Sequence, residues 1–441
     1  MRTSVSRRRV LIGGACAGAS LLQAGSGRAQ PRPDPLRVRC NVASLTSQSD
    51  DIVALKDAIK KMGGSDPLSW QKQIAIHAQD WGQHGSWRFL PWHRLQLAYF
   101  ERIVAHHSGH KAFAMPYWPW QDHDRIPDIF FDEPFSSSPA GEELGRDAGR
   151  GDSLNAFMRA HDLAYYDVSD ARLADMLGDP DGDGIIEHSG HNIVHWFVGG
   201  KMGAKTTAVH DPIFWFHHAN IDRVWFSKSL HLDEAYPVDW RAEHLAGFVD
   251  ESGADVPPTP ASATIDASSF GYEYDIREPV VVAAAPPPPP PAGAARRPPS
   301  APRLIERHLT MKRVSDRQGR VFVPPEVLSN GTSPDKTQAT ARASVLGDAH
   351  VLTITTVARD ARPGSNLARY QAFSFPMGMD QSMAVSHRVP LEDLIPRLPE
   401  ILRSGFWFEV LAEPLPGKMR GPAFEPKLIS FEVDIRSSRS G

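Results

Sequence analysis

The residues of this chain best placed to do chemistry are its histidines. One stretch reads Glu187-His188-Ser189-Gly190-His191-Asn192-Ile193-Val194-His195, and a second reads Asp211-Pro212-Ile213-Phe214-Trp215-Phe216-His217-His218-Ala219-Asn220-Ile221-Asp222-Arg223. His191 and His195 stand at i and i+4, a spacing that puts both imidazoles on one face of a helix and suits them to clamp a metal ion. About a hundred residues earlier lies a further set: His77, then His84-Gly85-Ser86-Trp87-Arg88-Phe89-Leu90-Pro91-Trp92-His93-Arg94. Taken together, His77, His84 and His93 make one group of three, and His191, His195 and one of the pair His217/His218 make another.

Imidazole serves copper, zinc, iron and nickel, so ligand type alone does not choose the metal. Charge narrows the choice. Six neutral ligands cannot neutralise two divalent ions as the carboxylate-rich di-iron sites do, whereas they suit two Cu(I) ions that react with O2. The zinc-peptidase pattern H-E-x-x-H is also absent, because the residue after His191 is Asn192.

The motifs Phe89-Leu90-Pro91-Trp92-His93-Arg94, His191-Asn192-x-x-His195 and Asp211-Pro212-x-Phe214-x-x-His217-His218-x-x-x-Asp222-Arg223-x-Trp225 resemble the type-3 copper proteins, that is tyrosinases, catechol oxidases and haemocyanins. The resemblance runs in order through most of Asp50 to Ile276. It implies that His77, His84 and His93 bind one copper and that His191, His195 and His218 bind the second. His217 then becomes a neighbour, with Asp222 a turn beyond His218 as an acceptor behind that ligand. By the same resemblance, Glu187 and Asn192 hold a water that removes the phenol proton. A phenol with a pKa near 10 must lose that proton before it can bind copper, and a positioned base supplies the route. The activity implied is oxidation of o-diphenols to o-quinones by O2, extended to ortho-hydroxylation of monophenols if access allows. A haemocyanin-like O2-binding protein would use the same six histidines, and a binuclear zinc hydrolase is the third reading. Many relatives link a copper-binding histidine to a cysteine thioether. No cysteine follows Cys40 here, so that link is absent. Lys205 falls where plant relatives place a bulky aromatic over the first copper, which points to a more open site or to a preference for anionic phenols. Trp196 is expected at the site mouth.

The elements that must position these groups are mainly helical from about Asp50 to Phe226. Ile52, Leu55, Ile59 and Met62 recur at helical spacing. Pro91 in the first turn of a helix running through Val104, and Pro212 after an Asp211 cap, lack only an N–H that has no helical partner there. Asp179-Pro180-Asp181-Gly182-Asp183-Gly184 imitates half of a calcium loop, but Gly190 stands where the closing Glu belongs. It reads as a tight acidic turn.

At 441 residues, with 41% hydrophobic and 23% charged residues and a net charge of −4, the chain is long enough for more than one core. That charge gives no electrostatic case for nucleic-acid binding. Two cysteines, Cys16 and Cys40, exclude a disulfide framework. Residues 1–29, with Arg7-Arg8-Arg9 before an apolar run and Ala29 as cleavage site, read as a twin-arginine signal for a periplasmic or secreted protein without a stable membrane anchor. Residues 30–280 form the catalytic domain, a helical bundle holding the dicopper site and ending near Tyr272-Glu273-Tyr274, which resembles the end of that domain in plant polyphenol oxidases. Residues 281–301, with Pro286 to Pro291 in one run, form a semi-rigid linker. Residues 302–441 change to period two, with strands expected at His350–Val357, Tyr370–Phe375, Phe406–Leu411 and Leu428–Ile435, as in a β-sandwich. The resemblance implies that this C-terminal domain is an intramolecular inhibitor over the copper site. Met377, Met379, Met383 and His387 offer soft ligands, but read first as packing or loop residues.

Overall fold

A computed structural model describes residues 36–79, 81–161, 173–180, 182–229, 236–275, 303–325, 337–346, 350–358, 366–374, 382–389, 405–414 and 427–439. The signal segment, the proline run and Met377 and Met379 lie outside these residues. The chain divides into two compact bodies, the first comprising Met1–His84, Arg88–Leu177 and Ile193–Val280, the second Gly85–Trp87, Gly178–Asn192 and Val281–Gly441.

The first body is helical, as expected. Helix α1 (Asp50–Lys61) buries Ile52, Leu55 and Ile59, the face its spacing marked. Helix α2 (Trp70–Ala78) starts at Ser69, whose hydroxyl accepts from Lys72 N, and carries His77 in its last turn. Helix α3 (Phe89–Ser108) has Pro91 in its first turn and stops at Gly109, which takes φ 75°. That left-handed cap is a conformation glycine adopts without steric cost. Short helices α4 (Leu154–Ala160) and α5 (Leu173–Leu177) follow. After the second body's hairpin of β2 (Gly178–Asp179) and β3 (Gly182–Asp183) comes α6 (Asn192–Val198). The acidic turn is thus a two-stranded hairpin. Helix α7 (Ile213–Ser229) begins one residue after Pro212, within the normal uncertainty of helix ends. Its start is fixed by Asp211, which accepts from Ile213 N at 3.0 Å and forms a two-pronged ion pair with Arg146 at 2.6 and 2.7 Å.

Helices α3 and α7 form the spine of this body. Phe100 and Trp215 stack between them with centroids 3.5 Å apart and planes 4° from parallel. Helix α8 (Val238–Ala242) and the pair β4 (His244–Leu245) and β5 (Thr259–Pro260) lead to β6 (Tyr272–Tyr274). Strand β6 pairs in parallel with β1 (Arg37–Arg39), the first strand of the body. No helix among the described residues is long and apolar enough to cross a membrane.

The second body contains two antiparallel sheets, the expected β-rich fold. One has the order β13 (Ser382–Val389), β10 (Thr337–Leu346), β15 (Lys427–Arg439), β7 (Arg303–Thr310). The other runs β12 (Asn366–Ser374), β11 (His350–Ala358), β14 (Phe406–Pro414), β9 (Gln318–Val323), β8 (Lys312–Arg313). Their inner faces share one core, with Phe406, Phe408, Val410 and Ala412 on β14 and Phe431, Val433 and Ile435 on β15. Leu428 is out of phase with those β15 residues, yet it is buried too. A bulge opposite Ser344/Val345 skips Ile429, which is left 41% exposed, and returns both sides of the strand to the core. Strand β12 packs against the Glu187–His191 turn, and β13 against β3.

Candidate metal centre

His77 at the end of α2, His84 in the following loop and His93 at the start of α3 converge. Their ring centroids lie 5.1 Å (77–84), 4.9 Å (84–93) and 5.7 Å (77–93) apart, and one ligand atom from each falls within 4.8 Å of the others. The rings are oriented by backbone carbonyls. A carbonyl only accepts, so the facing ring nitrogen must carry the proton. His77 Nδ1–H donates to Lys205 O at 2.9 Å, and His93 Nδ1–H donates to Phe89 O at 2.8 Å. Each ring therefore keeps its lone pair on Nε2, the arrangement that metal-binding histidines use. His77 Nε2 is buried with no hydrogen-bond partner among the described residues. A buried imidazole nitrogen in that state fits a bound cation, since leaving it bare costs its full desolvation.

His191, His195, His217 and His218 form the second group, again with ligand atoms within 4.8 Å of one another. His191 closes a π-helical turn spanning Glu187–His191, which runs straight into α6. Such single wide turns occur often at functional sites. His191 Nδ1 lies 2.8 Å from the side-chain oxygen of Asn192, and His195 Nδ1–H donates to Met202 O at 2.6 Å. Both bonds leave Nε2 as the donor to a metal. His217 differs. Trp120 Nε1–H donates to its Nδ1 at 3.0 Å, which puts the ring proton of neutral His217 on Nε2. His218, one residue on, packs against Phe214 at 4.2 Å.

The two groups adjoin. His93 and His218 stack with centroids 4.4 Å apart and planes 18° from parallel. Burial keeps these rings neutral: it lowers His93 to about 3 despite the Phe89 bond, lowers His195 to about 4 against the Met202 bond, and drives His77 well below its ordinary value, where a proton would also meet repulsion from protonated His93 or His195 and from Lys205. Neutral imidazole is the form that binds metal.

The remaining expected residues are also placed. Glu187 is 2% exposed, and one of its oxygens accepts from Gly85 N at 2.9 Å. The side chain of Lys205 is buried, and its charge opposes protonation of His77 and His93. Trp196 is buried at 6% exposure against Phe157 and His161, with centroids at 4.8 and 4.5 Å. Asp222, expected as the acceptor behind His218, instead receives Arg94 Nε at 2.6 Å, Arg39 Nη1 at 2.9 Å and the Tyr272 hydroxyl at 2.6 Å. Its carboxylate is committed to an ion cluster.

Residues 67–162 and 164–227 match the family model described as the common central domain of tyrosinase, a span that holds all six candidate histidines. The matched span is similar to the central domain of the tyrosinases. The two histidine groups are where this chain could hold metal ions. Among its relatives, a chloroplastic polyphenol oxidase of Spinacia oleracea is 28% identical over 285 residues, covering 50% of this chain and 44% of the relative. A tyrosinase of Hahella sp. (strain CCB-MM4) is 29% identical over 256 residues, covering 43% of this chain and 53% of the relative. The chain thus spans about half the length of the curated relatives it matches. A structure of latent apple tyrosinase superposes with a TM-score of 0.58 at 18% identity, covering 93% of this chain and 97% of that one. At that identity the likeness shows the fold.

Several residues of this site carried little sequence signal. The carbonyls of Phe89, Lys205 and Met202 that orient three imidazoles belong to residues of unrelated type. Phe214, 4.8 Å from His77 and 4.2 Å from His218, stands in the Asp211-Pro212-x-Phe214 motif, which gives it no role beside the histidines. Trp120 could have been found only by asking what occupies the second nitrogen of a paired histidine.

Proposed function

We propose that this protein is a polyphenol oxidase that oxidises o-diphenols to o-quinones with O2. His77, His84 and His93 hold one copper, and His191, His195 and His218 the other. The observation that carries this reading is the 4.4 Å stack of His93 on His218, which brings the two trios close enough to act on one small molecule. Bound copper supplies the redox chemistry, with two diphenols giving up four electrons and four protons as one O2 becomes two waters. The chain's own residues handle position and protons. Glu187, tethered by Gly85 N–H, is the base that takes the phenolic proton through a water. Asn192 spends its amide oxygen on His191 and can donate to that water through its amide nitrogen. Lys205, buried beside the first trio, favours phenols that carry a negative charge.

The C-terminal β domain acts as an internal shield that keeps the enzyme latent, and proteolysis in the linker at Arg296–Arg297 releases it. Support comes from β12 lying against the turn that carries Glu187 and His191. Residues 1–29 direct export by the twin-arginine route, a reading that rests on Arg7-Arg8-Arg9 and the apolar run behind them.

The test is copper-loaded protein, intact and cleaved in the linker, assayed for O2 uptake with a monophenol and its o-diphenol side by side. Quinone formation from the diphenol supports the reading. Reversible O2 binding without quinone would make the protein a carrier, and zinc on metal analysis with no peroxide-to-copper absorption band under O2 would favour a hydrolase.

A further inference from the structure

Arg94 directly follows His93 on α3, and Asp222 lies one turn beyond His218 on α7. Their side chains meet in a fully enclosed ion pair, with Arg94 Nε donating to Asp222 Oδ1 at 2.6 Å and side-chain exposures of 0% and 3%. The rest of each group is fixed as well. Arg94 Nη1 donates to Thr264 O at 2.7 Å, and its guanidinium lies 3.7 Å over the ring of Trp225. The other oxygen of Asp222 accepts from Arg39 Nη1 and from the Tyr272 hydroxyl. The Tyr274 hydroxyl, with one proton to share, is 2.8 Å from that oxygen and 2.9 Å from Ala219 O. Burial works against the charge of Asp222, yet Arg94 and Arg39 hold its carboxyl below the ordinary carboxylate range.

A cluster of this kind is a poor way to gain stability, since apolar residues of similar volume often do as well. It is a good way to fix position, because a planar guanidinium on a carboxylate tolerates little change in distance or angle. We infer that the Arg94–Asp222 pair sets the distance between the two metal-binding helices and so holds the imidazoles of His93 and His218 at the separation that lets two copper ions act as one unit. Both residues are positioning residues. Neither belongs to the histidine groups, and each reaches the site through the helix that it shares with a candidate ligand. The inference rests on the copper assignment made above.

The experiment uses the full chain, copper-loaded and air-oxidised, and reads copper per chain, unfolding temperature and the electron paramagnetic resonance signal. Two Cu(II) ions held as a coupled pair cancel each other's spin and give no signal, whereas ions held apart each give one. Wild type should hold two coppers and be silent. Arg94→Lys keeps the charge but loses the planar fork, and Asp222→Asn keeps the shape but loses the charge. Both should retain copper while most of it becomes visible in the spectrum, with kcat falling more than KM rises. Arg146→Met, which breaks the Arg146–Asp211 pair, is the control and should lower the unfolding temperature while leaving the sample silent. The inference is overturned if the position-94 and position-222 variants unfold earlier but stay silent at full copper, or if the control becomes equally visible. If Asp222→Asn does not fold, Arg94→Lys alone decides. A wild type that takes up no copper would instead sink the functional assignment on which the inference stands.

Discussion

The indole N–H of Trp120 donates to Nδ1 of His217 at 3.0 Å, and this one bond separates two adjacent histidines that ligand type alone leaves equal. With Nδ1 occupied as an acceptor, neutral His217 carries its proton on Nε2 and has no lone pair left for a metal. His217→Gln should therefore keep two coppers per chain and lose no more than about 10-fold in kcat/KM, the lower end for a residue that only supports ligands. His218→Ala should lose one copper and roughly 100-fold or more in activity. Metal analysis of both purified variants checks the assignment, and equal copper loss in the two would reverse it.

Lys205 makes a prediction about substrate choice. A charged hydrogen bond between its ammonium and a carboxylate would be worth about 1.5–3 kcal/mol, or roughly 10- to 100-fold. Lys205→Met should lower kcat/KM for a catechol bearing a carboxylate tail by that factor and leave 4-methylcatechol within about 3-fold of wild type. The His77 Nδ1 bond to the Lys205 carbonyl survives the change, so copper content should hold. Equal losses on both substrates would show that the lysine does not read charge.

Asp51, in the first turn of α1, shows a pH dependence away from the metal centre. Burial raises its carboxyl from 3.8 to about 6, against the Ala114 N–H bond and the nearby His110. The folded state therefore binds this proton more tightly than the unfolded state. The contribution to stability is unfavourable at pH 7 and disappears as pH falls from about 6 toward 4. Asp51→Asn keeps an acceptor for Ala114 N and removes the charge. It should be more stable than wild type at pH 7 by roughly 2 kcal/mol, with the difference gone near pH 4. Paired urea titrations across that range test the sign as well as the size.

Cleavage at Arg296–Arg297 tests the proposed shield. Limited trypsin digestion of copper-loaded protein should raise specific activity toward a diphenol several-fold. A soluble, copper-replete product with unchanged or lower activity would remove the β domain from any regulatory role.

Much of this molecule was legible because its motifs are both chemical and geometric. His191 and His195 at i, i+4 state a helix face and a ligand pair at once, and Pro91 and Pro212 mark where helices start. In the β domain, the alternation of Phe406, Phe408 and Val410 read cleanly. Strand β10 did not: it presents Ala341, Ala343 and Val345 to the core, and side chains that small leave little contrast with the Thr, Arg and Ser between them. The Asp222 cluster was hidden for another reason. Its partners Arg39, Arg94, Tyr272 and Tyr274 are scattered along the first body, and only the tertiary fold brings them to one carboxylate, so helical spacing suggested His218 instead.

Strands β1 and β6 open and close the helical body, and they lie side by side, residue 37 against 272 through residue 39 against 274. Asp275, just past the second strand, accepts from Asn41 N at 3.0 Å and from the Tyr117 hydroxyl at 2.7 Å. Among the described residues the helical body thus ends beside the place where it begins, as a lasso closes on its own rope. The old ends could be joined by a short peptide and new ones opened in an exposed turn, and a cut anywhere beyond Asp275 leaves the closure tied.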